Sequence, residues 1–388
     1  MKKSYLIIIL IICFILILSL GICLTGCNSD TASDNNLVVT PEPVPEKTFT
    51  IAAVGDIMMH NTLLRAAYQH QLYKHDFSPF FTRIKPHLES ADFVIGNLET
   101  TLGEDFNEFG GYPRFNSPAV LAENLKEAGF DLVTTANNHC LDKGIKGLNN
   151  TLHYLDEAEL LHVGTARTLE EKETILITEI QSVKTAVLSY TYGTNGLIIP
   201  KGKEYAVNLL DENKIIKDLN KARDQGAQLL ILCLHFGQEY YDHPDSVQIR
   251  LVKTFLKAGA DVILGTHPHV LQPAQIYYER DDKAQFVIYS LGNFISDQNG
   301  LPRKSSLILN LHFGIDPLSG NPYFIKATNV PIWTRKYQVN GKLNFEIIPL
   351  EETIEEIKAG QLGDFTLNEI QELQQAWVHV SAHTQPLS

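Results

Sequence analysis

The chain has 388 residues, with Lys+Arg 32 against Asp+Glu 45 for a formal net charge of -13 at pH 7. That acidic balance argues against nucleic acid as a partner and against polybasic attachment to a membrane surface. The length, with 44% hydrophobic residues, suits one large α/β domain, alone or with a smaller companion, and five cysteines are too few for a disulfide scaffold.

Lys2 and Lys3 precede an almost unbroken apolar run from Tyr5 to Leu24. This is the secretory pattern, and the run is also long enough to cross a bilayer as an uncleaved anchor. Leu24-Thr25-Gly26-Cys27 resembles the bacterial lipobox, which implies a signal peptide over 1–26, cleavage after Gly26 and a lipid on Cys27. Either route leaves the rest of the chain at the extracytoplasmic face of the membrane. Residues 27–47 then read as the lipidated start and a flexible linker, because Ser, Asp, Asn and Pro dominate and no hydrophobic period is present.

A β-rich run, Thr48 to Val54, ends at Gly55-Asp56, and a helix is expected from about Met59 to His70. A second strand, Phe93 to Ile95, runs into Gly96-Asn97-Leu98-Glu99 after a helical stretch through Ile84 and Leu88. This is βαβ organisation with polar residues at strand ends. The segment KEAGFDLVTTANNH at 126–139 is echoed by LKAGADVILGTHPH at 256–269. Each begins in an amphipathic helix, turns at Gly129 or Gly259 as a C-cap, continues as a strand and ends on a polar turn. His139 and His269 therefore occupy equivalent places just past a strand, as do Asn137 and His267.

Further strands are expected at 174–180, 184–190 and 228–234, the last ending at His235-Phe236-Gly237. Phe286 to Tyr289 and Ser306 to Leu311 flank Ser290-Leu-Gly-Asn293, and β-like runs follow at 323–330, 333–339 and 344–348. Without long helices between them, these later strands suggest antiparallel pairing. Two helices, 351–359 and 367–378, make a C-terminal extension over 351–388, with Thr366 and Glu369 in capping-box register.

Asp56, Glu99, Asn138, His139, His235, His267 and His269 all fall at strand ends or in the turns after them. Carboxylate, imidazole and amide-carbonyl donors suit manganese, zinc or iron better than calcium. In His267-Pro268-His269 a bent loop can aim both rings at adjacent ions, which no helix or regular strand does. Such a centre, with one ion or two, activates water and neutralises oxyanions. Each residue also has an ordinary role open to it: Asp56 as a helix N-cap, His60 as a cap or surface group, Asn97 and Asn137 as turn braces, Cys140 and Cys233 as core thiols. Gly55-Asp56 lacks the glycine-rich fingerprint of a dinucleotide site.

GDIMMH at 55–60, GNLE at 96–99, ANNH at 136–139, LHFGQEY at 234–240, GTHPH at 265–269 and SLGNF at 290–294 together resemble the CapA family of bacterial capsule-biosynthesis proteins. That family is associated with poly-gamma-glutamate and related to the calcineurin-like metallophosphoesterases. The resemblance implies an α/β fold, a metallophosphoesterase-like sandwich of two mixed β-sheets flanked by helices, over 48–350. It implies Asp56 as the first metal-binding aspartate, Glu99 in place of the usual bridging aspartate, and Asn138 as an amide ligand. His235 and His267 would serve one ion and His269 the other, with His139 assisting the leaving group. The chain departs from the phosphoesterase pattern at Met58, where histidine is usual; a thioether is a poor donor in a hard site, and His60 is the nearest substitute. Asn97, Asn137 and Asn293 are candidate ligands or supports. Arg114 is a candidate clamp for a substrate carboxylate or phosphate, and Glu239 and Tyr240, close after His235, are candidates to orient water or substrate or to pin their loop.

The reading that follows is a metal-dependent hydrolase-like protein that processes, releases or helps assemble an anionic surface polymer, poly-gamma-glutamate, beside a membrane synthase or export complex. Two alternatives stand with it. One is a non-enzymatic polymer-binding or assembly subunit; the other is an extracytoplasmic phosphoesterase.

Overall fold

The computed structural model describes residues 47–280, 283–361 and 364–383. The signal, Cys27 and the linker up to 46 lie outside the described residues, among which no helix is long and apolar enough to cross a membrane.

The strands are β1 (Lys47–Ile57), β2 (Phe93–Leu98), β3 (Leu132–Thr134), β4 (Leu161–Val163), β5 (Leu176–Ile180), β6 (Val183–Thr191) and β7 (Leu229–His235). They continue with β8 (Val262–Thr266), β9 (Leu271–Tyr277), β10 (Gln285–Leu291), β11 (Asn293–Ile295), β12 (Ser305–Ile315), β13 (Pro322–Val339) and β14 (Lys342–Pro349). The longer helices are α1 (Asn61–Ala67), α2 (Val120–Glu127), α3 (Gly144–Glu157), α4 (Glu212–Asp224), α5 (Ser246–Lys257), α6 (Leu350–Lys358) and α7 (Leu367–His383).

Two mixed sheets form a sandwich flanked by helices, the expected fold class. The first runs β14-β13-β12-β1-β2-β3-β4, with β11 also paired to β1; the second runs β9-β10-β8-β7-β6-β5. Side chains alternate along each strand. Phe49, Ile51 and Ala53 of β1 meet Leu229, Ile231 and Cys233 of β7 in the core between the sheets. Ala52 and Val54 instead face Leu121, Leu125, Leu148 and Leu152 of α2 and α3. Leu230, Leu232 and Leu234 face Ile215 and Leu219 of α4 and Phe255 of α5. Strands β1, β2, β3 and β4 are parallel, as are β6, β7, β8 and β10, while β12, β13 and β14 are antiparallel.

Register then places the chemistry. Asp56 is level with Asn97 on β2 and Asn293 on β11, and His235 is level with Thr191 on β6 and Thr266 on β8. The parallel strands of both sheets deliver these residues at their C-terminal ends. The sequence echo is visible as β3 of one sheet and β8 of the other, each preceded by a glycine with positive φ, +106° at Gly129 and +111° at Gly259.

Some expected boundaries move. The helix anticipated from Met59 to His70 stops at Ala67, and Tyr68–Gln69 pairs with Lys74–His75 in a small hairpin whose rings pack together. The two strands expected at 323–330 and 333–339 are one strand, β13; Pro331 sits where pairing to β14 ends, so it interrupts only one side. Cys140 and Cys233 are free thiols in different cores, so no bridge joins them. Burial pushes both thiols up to about 12.

The C-terminal helices pack on the domain: Leu350 of α6 and Leu373, Ala376 and Val380 of α7 join the core between the sheets. Arg335 on β13 holds them electrostatically, with Nε 2.8 Å from Glu369 Oε1 and Nη1 2.9 Å from Glu346 Oε1 and 3.0 Å from Asp364 Oδ2.

Candidate metal centre

Where the C-terminal strand ends of the two sheets meet, two groups of candidate ligands lie side by side. In the first, Asp56, Glu99 and His235 each offer a ligand atom, all within 4.8 Å of one another, and all three residues are buried. Asp56 Oδ1 accepts from Asn97 Nδ2 at 2.8 Å, and Asp56 Oδ2 lies 3.0 Å from His269 Nδ1. Asn97 is held in turn by Thr134 Oγ1, which donates to its Oδ1 at 3.0 Å. His235 pairs through Nδ1 with Thr266 Oγ1 at 2.9 Å, which turns Nε2 toward Asn138 Oδ1 at 2.9 Å and Glu99 Oε1 at 3.7 Å.

Glu99 is the telling member. It is 0% exposed, yet neither carboxylate oxygen has a hydrogen-bond partner. Burial first, and Asp56 second, hold its carboxyl well above the usual carboxylate range. A buried acid left without partners costs several kcal/mol, and a divalent cation relieves that cost directly. His235 is held well below the usual imidazole range by burial and by its histidine neighbours, so its ring is neutral and able to ligate. The donor set of two carboxylates, an imidazole and an amide oxygen fits manganese, zinc or iron.

The second group is Glu239, His267 and His269, with ligand atoms again within 4.8 Å. Its geometry comes from the bend foreseen in the His267-Pro268-His269 turn: φ is +100° at His267 and +60° at His269. This grouping differs from the expected one, in which His267 went with His235, although those two rings remain 4.9 Å apart. His267 Nδ1 is buried without a hydrogen-bond partner. Asn293 Oδ1 lies 3.1 Å from His269 Nδ1, so Asn293 is a support for that ring, while its Nδ2 donates to Ser296, Gln298 and Arg303.

The second group, through Glu239 and His269, borders a cavity of about 340 Å³ lined also by Met58, Arg114, His139, Asn195 and Tyr240 among others. A larger hollow of about 430 Å³ lies at the opposite strand ends, near Leu229 and Asp261, and holds none of these donors. His139 faces the first cavity with Nδ1 2.7 Å from Asp142 Oδ2, and the same oxygen accepts from Phe115 N–H at 2.6 Å. Asn195 Nδ2 lies 3.4 Å from His139 Nε2. Asn137 braces the turn, donating to Leu98 O at 2.8 Å and accepting from His139 N–H at 3.2 Å.

The remaining expectations divide. Arg114 is exposed on the cavity rim. Glu239, expected beside substrate, stands among candidate ligands. Tyr240 is 49% exposed, with its ring under Arg303 at 4.7 Å. His60 joins neither ligand group: its Nδ1 accepts from Asp297 N–H at 3.3 Å and its ring meets Phe115 edge-on. Burial lowers His60 to about 4. Met58, also buried, is not replaced by it.

Sequence reasoning passed over Asp142, Asn195, Tyr192 and Arg303. Asp142 carried a usable signal, three residues after His139. Tyr192 follows the end of β6 and its ring packs at a tilt against His267, centroids 4.5 Å apart, so the strand-end pattern that singled out the histidines applied to it too.

A family model described as bacterial capsule synthesis protein PGA_cap matches residues 50–298. The chain is 32% identical over 271 residues to the capsule biosynthesis protein CapA of Bacillus anthracis, covering 68% of this chain and 63% of that protein. It is 28% identical over 262 residues to the PGA biosynthesis protein CapA of Bacillus subtilis, covering 67% and 66%. The match thus spans a little under two thirds of each relative. Among solved structures, a calcineurin-like phosphoesterase from Bacillus subtilis aligns over 86% of this chain and 98% of its own, with 15% identity and a TM-score of 0.45.

Proposed function

Because the chain belongs to the PGA_cap family of bacterial capsule synthesis proteins, we propose that it binds a divalent cation at Asp56, Glu99 and His235 and acts as a hydrolase on an anionic surface polymer of the poly-gamma-glutamate type, trimming or releasing it. The observation that carries this is Glu99: a fully buried carboxylate with both oxygens unpartnered beside Asp56 and His235.

When bound, such a cation supplies Lewis acidity and charge neutralisation. The protein's own groups do the rest. Asp142 fixes a proton on His139 Nδ1 and leaves Nε2 as an acceptor at the cavity, in place to take a proton from the attacking water and then pass it to a departing amine or alcohol. Asn195 steadies that ring edge. Arg114 on the rim is free to take a substrate carboxylate in a forked contact. Thr134, Asn97 and Thr266 hold Asp56 and His235 in their ligating orientation.

The proposed location, outside the cytoplasm and anchored through Cys27, rests on the apolar run and Leu24–Cys27. It brings a nascent polymer within reach and makes cytosolic nucleotides poor candidates. The test is turnover by the purified chain under defined metal conditions, with poly-gamma-glutamate and a simple phosphoester as parallel substrates. Cation-dependent shortening of the polymer that His139→Ala abolishes is the expected result. Bound cation with no turnover of either substrate would instead make the chain a polymer-binding or assembly subunit.

A further inference from the structure

We propose that the aromatic groove beside α1, walled by Tyr68, His75, Phe106 and Phe109 and carrying Arg65, is a polymer-binding subsite that holds a carboxylate-bearing unit at a distance from the one at Arg114. The proposal rests on the polymer reading above and goes beyond it in placing recognition outside the catalytic cavity.

The groove is a cavity of about 520 Å³ whose walls come from α1, the small hairpin of Tyr68–Gln69 with Lys74–His75, and the segment before Gly110. Its rings are packed together: Tyr68 lies 5.1 Å from His75 and 5.5 Å from Phe106, and His75 lies 5.4 Å from Phe109. A 3-10 turn over Phe106–Glu108 sets the two phenylalanines, capped by Asp105 Oδ1, which accepts from Asn107 N–H at 2.9 Å. The outer ring, Phe106, is 60% exposed, so the groove opens to solvent. The groove and the catalytic cavity share a wall. Asn61 lines the groove, and its Oδ1 accepts from Gly111 N–H at 2.8 Å. A Cβ on Gly111 would stand 2.6 Å from Asn61 N, so only glycine lets the two backbones meet this closely. Gly110 and Asn116 exchange both backbone bonds, at 3.0 and 2.7 Å. The segment closed in this way puts Phe109 in the groove and Tyr112 and Arg114 in the catalytic cavity.

Charge decides what such a groove takes. The chain carries Asp+Glu 45 against Lys+Arg 32, yet no acidic residue lines this cavity among the described residues. Arg65, exposed in the last turn of α1, has no ion-pair partner among them, and neither has Arg114. Aromatic faces cover methylene groups, and a guanidinium takes a carboxylate in a fork. A chain of amide-linked units, each with a carboxylate on an aliphatic stem, satisfies both. The rings and the guanidinium converge on one hollow, which favours a polymer segment over a lipid surface. One chain can therefore lie over the 110–116 loop with one carboxylate at Arg114 and another at Arg65.

The test uses the full chain carrying His139→Ala, loaded with Mn²⁺, so that polymer is bound with little cutting. Calorimetry compares γ-linked glutamate oligomers of about 4 and about 20 units, and the parent should bind the longer at least about 10-fold more tightly. Arg65→Gln and Phe106→Ala, both at exposed positions, should each reduce that gain to about 3-fold or less and leave the short oligomer's affinity unchanged. The long oligomer with its carboxylates amidated should show no gain. Far-UV circular dichroism checks that each variant is folded. Equal affinity for the two lengths, a gain that both variants keep, or an equal gain with the amidated oligomer each overturns the proposal. Sedimentation with phosphatidylserine vesicles that depends on Arg65, alongside oligomer binding that does not, makes the groove a membrane contact and overturns it too. A parent that binds neither oligomer overturns the polymer reading itself, so the failures are distinct.

Discussion

Replacing Glu99 by Gln separates a cation ligand from an ordinary buried acid, because the two roles give different signs. Glu99 is buried without partners, and burial and Asp56 raise its pKa. In cation-free protein the amide removes a conflict between two buried acids, and Tm should hold or rise. With cation present the order reverses. A ligand at 100 times its Kd stabilises the fold by about 2.7 kcal/mol. With an unfolding entropy of about 2.1 cal/mol/K per residue, a unit the size of Glu46–Ser388 shifts its Tm by roughly 1.4 °C per kcal/mol. The wild type should gain about 4 °C on Mn²⁺ loading, whereas Glu99→Gln, binding about 10-fold more weakly, should gain no more than about 2 °C. Differential scanning calorimetry of chelated and loaded proteins reads both numbers. Equal gains in the two proteins, or a chelated Glu99→Gln that melts several degrees below wild type, would refute the reasoning.

Other perturbations act on separate parts of the molecule. Asp142→Asn and His139→Ala should each lower polymer turnover by roughly 10²- to 10⁴-fold while metal content stays at the wild-type level, since neither belongs to a ligand group; co-loss of metal would argue against the assigned role. Arg335→Met leaves Glu346 and Glu369 without their buried cation and should cost roughly 3–5 kcal/mol in urea unfolding, with early exposure of α7 in hydrogen exchange. His75 sits among Tyr68, Phe77 and Phe109, and burial lowers its pKa. The unfolded chain then takes the proton first, so this site's contribution to stability is present above about pH 6.5 and is lost as pH falls below it. His75→Phe should flatten the loss of stability between about pH 7 and pH 5 relative to wild type; an unchanged pH slope would contradict the assignment.

Much of the candidate site was legible because its residues obey one local rule, a polar side chain at or just past the C-terminal end of a buried strand. Asp56, Asn138, His235 and His267 all follow it, and the glycine-capped echo at 126–139 and 256–269 marked equivalent strands of two different sheets. The bend at His267-Pro268-His269 was legible in its residues, whereas the approach of Glu239 rests on a backbone bond from Tyr240 to Pro268, which leaves no trace in residue type. In the fold, α3 was not anticipated: Gly144 and Gly147 in its first turn are weak helix formers, though Leu148, Leu152 and Leu155 carry its buried face. Strand β9 was missed because its burial fades after Gln272 and Pro273 breaks its pattern. The seating of α7 on the core depends on Arg335, more than thirty residues upstream, and distance in sequence hid it.

The central claim is that a divalent cation sits between Asp56, Glu99 and His235. Anomalous diffraction from crystals grown with Mn²⁺ tests it most directly. The account predicts a peak about 2.0–2.3 Å from a Glu99 oxygen, an Asp56 oxygen and His235 Nε2. No anomalous peak there, with water alone against the Glu99 carboxylate, would contradict it.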